Sequence, residues 1–152
     1  MSRYPLKKKH IIKPDPFYDS VLIQKITNQL MKKGKKTLAR KILNQTLQQI
    51  EKKTQQDPVH IIEQAISNTV PAVEIKARRI GGAVYSIPIE LNSERGISIA
   101  IRWIIDCCNT KSSQSFTIKL TNEIIDASKK MGSAVRKRDE VHKMAESNAR
   151  LM

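Results

Sequence analysis

Between residues 73 and 89 the chain changes its period. Val73, Ile75 and Ala77 alternate with Glu74, Lys76 and Arg78, and Tyr85, Ile87 and Ile89 alternate beyond Gly81-Gly82. Alternation on both sides of a Gly-Gly pair predicts a β-hairpin, because a two-residue reversal needs positive φ at both central positions. Pro88 lacks the N–H that an interior strand donates, so the hairpin reads as a two-stranded ribbon and not as part of a wider sheet. Everything around it keeps a helical period. A helical domain carrying one ribbon is the only arrangement that serves both patterns.

Ahead of the ribbon, Asp19 or Ser20 caps a helix whose Leu22, Ile26, Gln29 and Leu30 share a face, with a stop expected at Gly34. A second helix begins near Thr37, its cap, and carries Leu38, Ile42, Leu43, Leu47 and Ile50. Asp57-Pro58 is an N-cap before a proline at the first helical position, opening a third helix with Ile61, Ile62, Ala65 and Ile66. Val70-Pro71 ends it.

Beyond the ribbon, Asn92 or Ser93 caps a fourth helix with Ile97, Ala100, Ile101, Ile104, Ile105 and Cys108 on one stripe and Trp103 beside it. After a polar loop over 109–114, a fifth helix carries Phe116, Leu120, Ile124 and Ala127. Gly132 separates a sixth, from about Ser133 to Asn148, whose apolar stripe is thin (Val141, Met144, Ala145), so it is expected on the rim. Ala77 shares a face with Val73 and Ile75, so that face should rest on the protein and turn Lys76 and Arg78 outward.

The expected fold is thus mostly α: a six-helix, bundle-like domain over residues 15–152. Its ribbon, at about 72–91, is inserted between the third and fourth helices. Residues 1–14, basic and holding Pro5 and Pro14, read as a disordered arm.

The chain of 152 residues is one ordinary domain in size, and its net charge of +14 decides the class of partner. The excess is concentrated in the first fifty residues, where only Asp15 and Asp19 are acidic. The cations fall in four patches. Arg3 joins Lys7, Lys8, Lys9 and Lys13; Lys32, Lys33, Lys35, Lys36, Arg40 and Lys41 form the second. Lys76, Arg78 and Arg79 form the third, and Lys129 and Lys130 with Arg136, Lys137 and Arg138 the fourth. Like charges packed this densely call for a polyanion. No stretch of eighteen apolar residues exists to span a membrane, and the N-terminus lacks the apolar region of a secretory signal.

The chemistry of an enzyme has no visible apparatus. Gly34-Lys35-Lys36-Thr37 resembles the end of a phosphate loop, but the glycine required five residues earlier is Gln29. His10, His60 and His142 lack partners at ligand spacing, and the adjacent Cys107 and Cys108 read as reduced core residues. No metal or cofactor is expected. Aromatic residues at 4% are too few to stack base after base. The reading is a protein that grips folded nucleic acid by backbone and shape. Structured RNA fits best, and composition alone also admits DNA.

One stretch is more specific. The run Val70-Pro71-Ala72-Val73-Glu74-Ile75-Lys76-Ala77-Arg78-Arg79-Ile80-Gly81-Gly82-Ala83-Val84-Tyr85-Ser86-Ile87-Pro88 resembles the signature of the small ribosomal subunit protein seven family, in its bacterial and plastid form. Asp15-Pro16, Gly34-Lys35-Lys36-Thr37-Leu38-Ala39 and Ala100-Ile101-Arg102-Trp103 match the same family in the same order. So do Arg136-Lys137-Arg138-Asp139-Glu140, His142-Lys143-Met144-Ala145 and Asn148.

The resemblance implies a non-enzymatic primary binder of the 3′ major domain of small-subunit ribosomal RNA. It further implies nucleation of head assembly, a place beside the messenger exit channel and the transfer-RNA exit site, and neighbours among head and platform proteins. Carried over by motif, the RNA-contacting residues are Lys35 and Lys36, then Lys76, Arg78 and Arg79, then Arg136, Lys137 and Arg138. Lys7, Lys8, Lys9 and Lys13 match as a basic tail.

The resemblance leads to the expectation of an aromatic, basic ending after Asn148, a pattern from which Arg150-Leu151-Met152 departs. The Cys107-Cys108 pair and a composition rich in Ile, Lys, Asn and Gln favour a plastid ribosome, with the bacterial cytoplasm or a mitochondrion as alternatives. The competing function is a basic DNA-binding regulator or architectural protein. Against it, the second helix carries its cations at its start and an apolar stripe thereafter, as a buried helix does.

Overall fold

The computed structural model describes residues 12–112 and 114–149. Lys7, Lys8 and Lys9, with most of the basic arm, lie outside the described residues. The described chain forms six helices and one two-stranded antiparallel sheet. In order these are α1 (Val21–Leu30), α2 (Lys36–Thr54), α3 (Pro58–Thr69), β1 (Val73–Ile80), β2 (Ala83–Glu90), α4 (Ser93–Thr110), α5 (Phe116–Ser128) and α6 (Ser133–Ala149). The ribbon stands between α3 and α4, as the change of period requires.

One apolar cluster joins all six helices. Ile23, Leu43, Leu47, Ile50, Ile62, Ile101 and Leu120 are its largest fully buried apolar side chains, with Trp103 and Phe116 packed against it. α5 lies centrally, in contact with α2, α3, α4 and α6. Polar ties fix these contacts. The Asn68 amide donates to the Ala127 and Ser128 carbonyls, joining α3 to α5, and Gln29 donates to the Ser98 carbonyl, joining α1 to α4. The Ser128 carbonyl belongs to the last turn of α5, which has no intrahelical partner to offer it, whereas Ser98 lies inside α4 and its carbonyl takes the Gln29 amide in addition to its helical bond.

Several local expectations give way. The sequence reading carries α1 on to Gly34, but the helix ends at Leu30. Residues 32–35 then make a tight turn, with Lys33 at φ 52° and Gly34 at φ 74°. The N-cap of α2 is Lys35, not Thr37, because that turn delivers the chain into the helix two residues sooner. Leu38 is 51% exposed, since α2 buries the Ala39–Leu43–Thr46–Leu47–Ile50 face and Leu38 lies about 100° away from Ala39.

Helix α6 is not merely a rim helix. Its first turn buries Ala134 and Val135 fully and Ala145 later, while Met144 is exposed. Small residues at a close crossing escape a reading based on large apolar side chains. Asp57 caps α3 through Val59 N–H at 3.1 Å, with Pro58 in the first turn, as the sequence indicates.

Candidate nucleic-acid interface

The ribbon is built on a strict register: Ile75 faces Pro88, Lys76 faces Ile87, Arg78 faces Tyr85, Arg79 faces Val84 and Ile80 faces Ala83. Gly81 and Gly82 close it at φ 57° and 90°, a reversal that side chains with a Cβ adopt only under strain. Only its lower half rests on the helices. Val73 and Ile75 are half-buried on β1 and Ile87, Pro88 and Ile89 on β2, whereas residues 76–79 and 81–86 are exposed. Ala77 is therefore exposed, against the expectation that its face lies on the protein. At about 3.3 Å per residue, the strands have risen past the domain surface by then.

Three ties hold the ribbon's base. Arg95, in the first turn of α4, donates twice to the Glu74 carboxylate at 2.7 Å. That hydrogen bonding holds Glu74 below the ordinary carboxylate range. His142 of α6 accepts the Ala72 N–H through Nε2 at 3.1 Å. Leu91 N–H donates to the Ala72 carbonyl. The outer half has no such ties: Lys76, Arg78 and Arg79 are exposed and make no ion pair or side-chain hydrogen bond with the described residues.

The second cationic group sits elsewhere. Lys32, Lys33, Lys35 and Lys36 are exposed on the turn into α2. A groove there is lined by Lys32, Lys33 and Lys35 together with Ile105 and Asn109, near the end of α4. The ribbon is pinned at the start of the same helix. An 18-residue helix is about 27 Å long, so ribbon and turn mark opposite ends of a long face. Lys35 and Lys36 also occupy the positive end of the α2 dipole, with no acidic residue in its first turn. Cations placed there repel the helix terminus, and an anion satisfies both at once.

The Arg136–Arg138 run divides. Arg136 is exposed, while Lys137 is half-buried with its Nζ 5.8 Å from the centre of the Trp103 ring. Arg138 donates to the Asn68 carbonyl and, at 2.6 and 2.9 Å, to Asp139 Oδ1. Its guanidinium thus closes the C-terminal end of α3 onto α6. Lys13, alone of the basic tail, is described, and it is exposed.

Sequence reading missed the groups that aim these cations. Glu123 is fully buried in α5; its Oε1 accepts Ala134 N–H at 2.8 Å, and its Oε2 pairs with Lys111 Nζ at 2.5 Å. A carboxylate thereby caps α6 from another helix. Asp15 is also buried, accepting Phe17 N–H and facing Arg40 Nε at 3.6 Å. Arg40, counted by sequence with the free cations, is thus partly spent inside. Burial pushes the Cys108 thiol up to about 12, in keeping with a reduced core cysteine.

Comparison with known proteins identifies the family. Residues 1–149 match the family model described as ribosomal protein S7p/S5e. The chain is 54% identical over 148 residues to small ribosomal subunit protein uS7c of Tupiella akineta, covering 97% of this chain and 95% of that one. It is 52% identical to uS7c of Chlorella vulgaris and 48% identical to uS7 of Acaryochloris marina, each over 148 residues with the same coverage.

Proposed function

Because this chain belongs to the S7p/S5e family of ribosomal proteins, structural and non-enzymatic components of the small subunit, we propose that it is a primary binder of the 3′ major domain of small-subunit ribosomal RNA. In this role it nucleates assembly of the subunit head and borders the messenger exit channel and the transfer-RNA exit site, beside head and platform proteins. The ribosome is that of a plastid, in keeping with the relatives named uS7c. The gripping residues are Lys35 and Lys36 at one end of α4, Lys76, Arg78 and Arg79 at the other, and Arg136 and Lys137 on α6. Arg138 contributes mainly by seating α6 on α3. Lys13, with Lys7, Lys8 and Lys9, adds a basic tail to this set.

The observation that carries this reading is the outer half of the ribbon, which offers three cations that no described residue occupies. Two cationic groups set toward opposite ends of α4 suit a partner with several packed helices, whose backbone contacts position the protein without reading sequence.

Titrating salt against affinity for a 3′ major domain RNA fragment tests the proposal. Affinity should fall steeply with salt, because each neutralised phosphate releases counterions. Lys35→Ala with Lys36→Ala should flatten that slope by between one and two units and weaken binding, since each cation accounts for about 0.7–0.9 of slope. The helical circular dichroism should not change, because both side chains are exposed. Salt-independent affinity, or a pair variant that loses its helix, contradicts the assignment.

A further inference from the structure

We infer that the Arg78–Tyr85 face of the ribbon is a subsite for one unpaired RNA base, stacked on the Tyr85 ring with its phosphate held by Arg78 and Lys76. The subsite rests on the RNA-binding reading above and assigns it a residue that carries no charge.

The register provides the first support. Directly opposed residues share a face, and side chains alternate along each strand. Arg78 and Tyr85 therefore lie on one face with Lys76 and Ile87, while Arg79 and Val84 lie on the other. The ring and two cations are brought together by pairing alone. Arg79 works from the reverse side of the same strip.

Exposure is the second. Tyr85 is 51% and Val84 65% exposed, at the projecting end of an element whose base is packed. Trp103, Phe116 and Tyr18 all pack against the core. Phe17 is exposed too, but it stands ahead of α1, outside the ribbon, whereas Tyr85 lies opposite Arg78 on the ribbon. An aromatic held away from the core, in a chain with 4% aromatics, has an apolar face to cover.

That face is open. Lys137 over Trp103 is the one cation–ring contact among the described residues, so Arg78 does not lie across the Tyr85 ring. Residues 75–89 contain no Asp or Glu, so within the outer half of the ribbon the charged neighbours of the ring are all cations. A flat, electron-rich ring bordered by guanidinium and ammonium groups is complementary to a nucleotide: the base stacks and the phosphate takes the fork. In a duplex both faces of a base are already covered, so the occupant is unpaired. No second aromatic stands on the ribbon, so the subsite holds one base and not a strand.

The test uses the full chain with a 3′ major domain RNA fragment, measuring affinity across a range of salt for Tyr85→Ala, Tyr85→Phe and Arg78→Ala. Tyr85→Phe keeps the ring and should bind within about twofold of the parent. Tyr85→Ala should bind about tenfold more weakly with an unchanged salt slope, as loss of one base–aromatic stack does. Arg78→Ala should lower the slope by just under one unit. All three should melt with the parent, since the sites are exposed. A Tyr85→Ala chain that binds like the parent overturns the subsite while leaving the RNA-binding reading intact; so does one whose loss comes with a changed slope. A parent chain with no affinity for the RNA overturns both.

Discussion

A chain carrying Glu123→Ala should melt about 6–12 °C below the parent, a loss of about 3 kcal/mol. The carboxylate is fully buried and serves two elements at once, accepting Ala134 N–H at the start of α6 and pairing with Lys111 at the end of α4. Truncation leaves a buried N–H unsatisfied, which alone costs about 1–3 kcal/mol. It also opens a cavity beneath the loop before α6 and removes the negative charge opposing the helix dipole.

Lys111 itself is 42% exposed and can return to water, so the larger share of the loss lies on the α6 side. Glu123→Gln retains an acceptor for Ala134 and should lose about half as much. Thermal unfolding followed by circular dichroism reads both variants. An alanine variant that melts with the parent would show that the carboxylate does not anchor α6.

Arg78→Ala with Arg79→Ala should have the opposite profile. Both residues are exposed and make no ion pair or side-chain hydrogen bond with the described chain, so the melting temperature should stay within about 1–2 °C. Affinity for the 3′ major domain RNA should fall by about tenfold or more, because each charge-assisted contact is worth about 1.5–3 kcal/mol. The two arginines lie on opposite faces of the ribbon, so they reach different parts of the RNA and their single losses should nearly add. Parental affinity at about 0.15 M salt would remove the ribbon from the interface, leaving its arginines as solvated charges.

These two cases separate what sequence makes legible from what it hides. The ribbon was readable because its determinants are local: alternation, two glycines at the reversal, and a proline that forbids a third strand. The helices were readable from periodicity, with Asp57-Pro58 marking a boundary to the residue. Glu123 was not, because one acid at the edge of a Leu120–Ile124–Ala127 stripe looks like a solvated neighbour until α6 folds over it. The cationic run on α6 shows the same limit within three residues. Successive helical positions differ by about 100°, so Arg136 points to solvent while Arg138 meets the Asn68 carbonyl. Charge density locates a patch, but only packing shows which of its members are free. Tyr85 was passed over because a low aromatic content argues against repeated stacking, and says nothing about one ring placed opposite an arginine.

Competition binding between the 3′ major domain RNA and a DNA duplex of equal length, at about 0.15 M salt, tests the central claim most directly. A surface made of cations alone follows charge density and binds the two polyanions equally. Cations fixed at the two ends of α4, with a ribbon reaching between RNA segments, should hold the folded RNA by at least a hundredfold over the duplex, about 2.7 kcal/mol. Equal affinity for RNA and duplex would contradict the account.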